Sequence, residues 1–189
     1  MRVAVFGGSF DPPHVAHVLL ATYALSVGGF DRVLVVPVFA HAFSKSLSPF
    51  AQRLRMCQLA FAPLRAVQVS DIEATLPTPS FTLSTLQAIR RELPDASLNL
   101  VIGADALSET SKWHAFDEVA RIAPPFAVGR EGYDASGASH FALPRVSSTQ
   151  VRKLLTSSDR SAQRAELSEL LPRSVLEYIE QHGLYPPPP

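Results

Sequence analysis

The 189-residue sequence has one cysteine, no surplus of either charge and no long apolar run. A lone Cys57 can build neither an internal disulfide nor a cysteine zinc site. It sits in Leu54-Arg55-Met56-Cys57-Gln58-Leu59, a helix-like stretch in which it reads as a small buried hydrophobe. Seventeen Lys and Arg offset seventeen Asp and Glu. That balance argues against a nucleic-acid partner or a membrane-surface partner, and leaves room only for a local basic cleft. No apolar stretch reaches the roughly 20 residues of a membrane helix. Met1 leads at once into a strand-like run, without a secretory leader. A cytoplasmic protein is therefore expected. Familiar motifs are missing too. There is no Gly-x-Gly-x-x-Gly fingerprint, and no Gly-Lys-Ser/Thr follows the first turn. Nor is there a Ser-His-Asp or Cys-His constellation, so covalent catalysis has no support.

What is present is a regular alternation of strand-like and helix-like runs. Val3–Phe6, Arg32–Val38, Val67–Ser70, Leu98–Ile102, Phe126–Val128 and Phe141–Leu143 read as strands. The helical stretches are Val18–Leu25, Ala51–Phe61, Ser80–Leu93 and Phe116–Ile122, and from Ser148 onward the chain is mostly helical. The order predicts an α/β fold, a doubly wound parallel sheet with a helical C-terminal part. Residues 1–185 are expected to form one domain, with 186–189 a solvated proline tail. Ligands of such sheets bind beyond the carboxyl ends of the strands. Four segments of interest fall there: Gly7–His17, His41–Lys45, Gly103–Asp105 and Ser147–Arg152.

The first segment reads as strand, glycine turn and helix, with Pro12 and Pro13 fixing the helix entry. His14 and His17, three residues apart, share a face of the first helical turn. Turn N–H groups, the helix dipole and the imidazoles together suit phosphate, and protonated histidines would add charge. A capping or core role is the alternative, and metal ligation by the pair lacks a visible third ligand. In the last segment Ser147 or Ser148 is a good N-cap, and Arg152 can fork two oxygens or simply be solvated. Lys45 lies in a loop that could close over phosphate, or is an ordinary surface lysine. Of Arg53 and Arg55, at least one is expected to be only solvated. Asp105 could accept from a ribose hydroxyl, help position a metal, or cap a helix. Trp113 could stack on a heteroaromatic ring or anchor the core. These parts suit phosphoryl or nucleotidyl transfer, which needs positioning and charge neutralisation and little covalent chemistry.

Gly8-Ser9-Phe10-Asp11-Pro12-Pro13-His14-Val15-Ala16-His17 together with Ser147-Ser148-Thr149-Gln150-Val151-Arg152 resembles the nucleotidyltransferase superfamily with its (H/T)xGH and SSTxxR motifs. Within it, the chain is similar to bacterial nicotinate mononucleotide adenylyltransferases. Pro79–Leu86, Ile102–Leu107 with Trp113, and Leu171–Tyr185 extend the likeness along nearly the whole chain. The resemblance implies a Rossmann-like nucleotidyltransferase fold and adenylyl transfer from ATP to nicotinate mononucleotide, giving deamido-NAD and pyrophosphate, with Mg²⁺. It implies catalytic roles for His14, His17, Lys45 and Arg152. ATP contacts would come from Gly7, Gly8, Ser9 and Phe10 on one side, and Ser147, Ser148 and Thr149 on the other. Gly103 and Asp105 would lie near the nucleotide. Thr82, Thr85 and Trp113 would face the nicotinate, Trp113 by stacking. No protein metal ligand is implied, and a homo-oligomer is left open. Two departures stand out. Ala16 replaces the family's glycine, and His41-Ala42-Phe43-Ser44-Lys45 lacks the usual Pro-Pro-His-Lys wording. Alternatives are a sister transferase using nicotinamide mononucleotide or phosphopantetheine, and a nucleotide-binding protein without turnover.

Overall fold

The computed structural model describes residues 1–40, 46–132, 141–157 and 160–186, so that of the expected proline tail only Pro186 is included. Six strands form one sheet: β1 (Arg2–Gly8), β2 (Arg32–Pro37), β3 (Val67–Val69), β4 (Ser97–Gly103), β5 (Pro125–Arg130) and β6 (Ala142–Leu143). Their order is β3-β2-β1-β4-β5-β6, and every neighbouring pair is parallel. Helices α1 (Val15–Ser26), α2 (Phe50–Phe61), α3 (Thr82–Glu92), α4 (Ala104–Leu107), α5 (Phe116–Ile122), α6 (Ser148–Leu155), α7 (Arg160–Leu170) and α8 (Arg173–Gln181) complete the described fold. The doubly wound sheet expected from the sequence is observed. Strand and helix ends differ from expectation by a residue or two in most elements, and β5 extends further at its carboxyl end. The sequence reading did not anticipate α4, nor the single 3₁₀ turns at Ile72–Thr75 and Thr110–Lys112, which are too short to show a period.

Alternation along the central strands divides the core. Ala4 and Phe6 of β1 with Val33 and Val35 of β2 face one side, packing on α1, α2, α6, α7 and α8. Val3 and Val5 with Leu34 and Val36 face the other, packing on α3 and α5. A strand sends successive side chains to opposite faces, so continuous apolar runs are what a sheet covered on both sides demands.

The register explains the crevice. The β1–β4 ladder runs from Arg2↔Ser97 to Val5↔Leu100. The β1–β2 ladder continues to Gly8↔Pro37, and the β4–β5 ladder to Gly103↔Val128. Beyond Val5 and Leu100 the two central strands therefore follow opposite neighbours. This is the point where the winding reverses, and the gap between their ends is where a doubly wound sheet takes its ligand.

Candidate active site

A cleft of about 810 Å³ opens in that gap. Its floor is Phe6–Gly8 of β1 and Leu100–Gly103 of β4, and Ser147–Thr149 border it from the start of α6. Gly7 is exposed, and a Cβ added there would meet no atom within 4 Å, so the missing side chain is open cleft. Gly8 is a glycine for a different reason: its Cβ would come within 3.1 Å of the Phe10 ring. Phe10 itself is buried with φ of 47°, a left-handed backbone that an L side chain adopts at a cost of roughly 1–2 kcal/mol. Ring packing holds it there. It makes edge contacts with Phe6 at 5.2 Å, His17 at 4.9 Å and Phe61 at 6.3 Å between centroids.

Phe10 thus forms a wall behind the histidines. His14 and His17 stack with ring centroids 3.7 Å apart. The His14 N–H donates to His17 Nδ1 at 3.0 Å, which leaves the proton of a neutral His17 on Nε2. His14 Nδ1 is buried with no hydrogen-bond partner among the described residues. Burial, with Arg130 adding to it, lowers the His14 pKa from 6.5 to about 3. Burial, His14 and Arg130, in that order, hold His17 well below its usual range as well. The charge that protonated histidines would add is disfavoured in the free protein: a charged imidazole there would lose its water beside a guanidinium, so both rings are held toward the neutral, donating form.

The turn between β1 and α1 is fixed from outside. Arg53 is buried, donating through Nε to Ser48 O at 2.8 Å and through Nη1 to Ser9 O at 3.0 Å. Arg152 Nη1 donates to Asp11 O at 2.5 Å and Nη2 to Thr149 Oγ1 at 3.3 Å, while Ser148 Oγ donates to Pro12 O at 2.9 Å. Ser147 is the N-cap of α6, its hydroxyl accepting from the Gln150 N–H. Of the arginine pair on α2, Arg55 is exposed as expected of one of them, while Arg53 is a buried anchor.

The remaining candidates are distributed unevenly. Asp105 borders the cleft in the first turn of α4, whose N-cap is Gly103, so the capping alternative falls away. Its carboxylate pairs with Arg130, which also donates to Val146 O at 2.5 Å. A Cβ on Gly103 would lie 2.5 Å from Asp105 Oδ1, so this glycine makes room for the ion pair. Thr82 and Trp113 line the cleft, with Trp113 braced edge-on by Phe116 at 5.9 Å. Thr85 does not line it. Its buried hydroxyl donates to Glu73 Oε1 at 2.8 Å, and Glu73 Oε2 accepts the Phe39 N–H at 2.9 Å. Thr85 therefore ties α3 to the loop after β2, one layer below any ligand. Arg152 reaches the turn and is not part of the cleft wall. Lys45 lies outside the described residues. Ala16 borders the cleft within an unbroken first turn of α1. The sequence reading missed Arg130, Glu73 and the buried role of Arg53; isolated charges in polar surroundings carry no periodic signal.

A phosphate-suited turn with two imidazoles at the switch point of this sheet defines a nucleotidyl-transferring class. The chain belongs to the cytidylyltransferase-like family, which matches residues 5–154. Within it, similar proteins carry the name probable nicotinate-nucleotide adenylyltransferase. The chain is 42% identical over 188 residues to an Anaeromyxobacter sp. (strain K) protein named "probable nicotinate-nucleotide adenylyltransferase", covering 97% of this chain and 96% of the relative. A Thermus thermophilus protein of the same name is 35% identical over 191 residues, covering 98% and 100%. The fold also matches Plasmodium falciparum nicotinic acid mononucleotide adenylyltransferase complexed with NaAD, with TM-score 0.82, 17% identity and 97% of both chains covered. Among the described residues, no helix is long and apolar enough to cross a membrane.

Proposed function

We propose that this protein transfers the adenylyl group of ATP to nicotinate mononucleotide, releasing pyrophosphate and forming deamido-NAD. The observation that carries this is the buried, unpartnered Nδ1 of His14 beside neutral His17, at the mouth of the β1–β4 crevice, in a chain with full-length adenylyltransferase relatives. A phosphate oxygen of the acceptor attacks the α-phosphorus of ATP; that P–O bond forms as the bond to the departing pyrophosphate breaks. His17 donates from Nε2 to the triphosphate, and His14 gains a partner for its idle nitrogen. Gly7 lets the phosphates approach the backbone. Arg152 spends two donors on Asp11 and Thr149 beside the cleft, and its remaining N–H groups are available to a triphosphate that extends over the turn. Preorganised donors aimed at developing charge are the main source of acceleration in such transfers.

The described residues contain no cluster of three or more His, Cys, Asp or Glu able to cage a metal. A Mg²⁺ arriving on the nucleotide would be held mainly by phosphate oxygens. When bound it neutralises phosphate charge. Trp113 stacks on the pyridine ring of the acceptor, and Thr82 donates near its carboxylate.

Pyrophosphate release should be measured with ATP, Mg²⁺ and, in parallel, nicotinate mononucleotide, nicotinamide mononucleotide or phosphopantetheine. The nicotinate acceptor should give the highest kcat/KM. No release with it at any concentration overturns the proposal. His17→Ala should lower turnover at least ~10²-fold if the ring stabilises transition-state charge; a wild-type rate removes that role.

A further inference from the structure

The C-terminal segment reaches back to the phosphate turn. Tyr185 Oη donates to Asp11 Oδ1 at 2.6 Å across 174 residues of sequence. The other carboxylate oxygen, Asp11 Oδ2, accepts the Ser48 N–H at 3.2 Å. Asp11 is 2% exposed and does not border the cleft, so its charge is turned away from the place proposed for triphosphate. An acid in a phosphate turn would otherwise repel its ligand. Here the carboxylate joins three separate pieces of chain: the turn itself, the segment leading into α2, and the C-terminal segment.

The geometry points to Tyr185 as a positioning residue for adenylyl transfer, acting through Asp11 to hold the phosphate turn. The inference rests on the function proposed above for its consequence, and on hydrogen bonds alone for its mechanism. Tyr185 is aimed deliberately by local structure. Gly183, at φ of 57°, reverses the chain after α8, and Leu184 is buried in the core with its N–H on Ile179 O at 3.1 Å. Tyr185 then takes φ of 54°, a strained backbone for a side chain of its size, which persists only where the surroundings fix it. Burial, and then the bond to Asp11, push the phenol pKa upward, so the hydroxyl stays a donor at any working pH. Ser9, Asp11 and Pro12 meanwhile offer their carbonyls to Arg53, Arg152 and Ser148. These contacts hold the turn's main chain. Tyr185 and Ser48 hold its one acidic side chain, and with it the start of α1, where His14 is the N-cap.

Tyr185→Phe keeps the ring and deletes the donor. The expected result is an about tenfold loss in ATP affinity by calorimetry and in kcat/KM for ATP, with KM for nicotinate mononucleotide changed less than about twofold. Amide exchange should speed up in residues 9–17 and 46–49 and stay unchanged in β4. On an Asp11→Ala background the same substitution should add less than about twofold, because the carboxylate through which it acts is gone. Wild-type ATP affinity and exchange in Tyr185→Phe overturn the inference. Exchange that quickens uniformly, with ATP affinity kept, also overturns it, since that is a general loss of stability. If the wild type releases no pyrophosphate with nicotinate mononucleotide, the proposed reaction fails, while ATP affinity and exchange still decide the role of Tyr185.

Discussion

Lowering the pH from 7.5 to 5 should weaken the fold by about 2 kcal/mol through His14 alone. The unfolded ring titrates at 6.5 and the folded ring at about 3, depressed mainly by burial and secondarily by Arg130. Above 6.5 neither state binds the proton, and the stability is fully present. As the pH falls below 6.5, the unfolded chain takes up a proton that the folded ring refuses, and stability is lost at about 1.4 kcal/mol per pH unit until the folded ring titrates. At pH 5 the solution is about 1.5 below the unfolded value, which gives the figure of about 2. His17, held low by the same surroundings, adds in the same direction. Urea unfolding at pH 7.5, 6 and 5 measures the slope, with His14→Gln as the non-titrating comparison. The variant should lose about 2 kcal/mol less than the wild type over that range. Saturating ATP should flatten the wild-type curve, because a triphosphate beside the rings favours their charged form. Parallel curves for wild type and His14→Gln without nucleotide would refute the reasoning and mean that the ring is hydrated in the folded state.

Two further substitutions separate folding from ligand binding. Gly7→Ala places a methyl where no atom lies within 4 Å, so unfolding free energy should change by less than about 0.5 kcal/mol while KM for ATP rises about tenfold; an unchanged KM would mean the nucleotide does not approach Gly7. Arg53→Met keeps the volume but strips the donors from Ser9 O and Ser48 O, and should cost about 2–4 kcal/mol in chemical denaturation; a loss below about 1 kcal/mol would mean that water replaces the guanidinium.

The layout of the molecule was readable because it depends on local periodicity. Val3–Phe6 and Arg32–Val38 could be read as buried parallel strands from their unbroken apolar character, and strand order then brought Gly7–His17, Gly103–Asp105 and Ser147–Arg152 to one edge. Capping chemistry alone narrowed the N-cap of α6 to Ser147 or Ser148, and Ser147 fills it. Features that depend on distant partners were not readable. Arg53 looked like any helix-surface arginine, since nothing local reveals that Ser9, 44 residues earlier, supplies its acceptor. Thr85, which the resemblance placed with Thr82 at the nicotinate, lies one helical turn beyond it and meets Glu73 instead, a carboxylate in a turn too short to announce itself. The charge state of the histidines was not readable for a related reason: a sequence names the ring, while its protonation depends on burial and on Arg130, which folds beside it from β5. Phe10 carried no sign of its left-handed backbone, a conformation better suited to glycine.

The bond between Tyr185 and Asp11 gives the site an order of assembly in time. A chain made from its N-terminus emits β1 and the glycine turn before the turn's partners, which follow in sequence: Ser48 and Arg53 soonest, Ser148 and Arg152 much later, Tyr185 last of these. Contacts spanning such lengths are the slowest to close. A turn made before all of these partners is thus among the last parts to acquire its working shape, and a nascent or truncated chain lacking residue 185 carries both histidines without the hydroxyl that secures the loop before them.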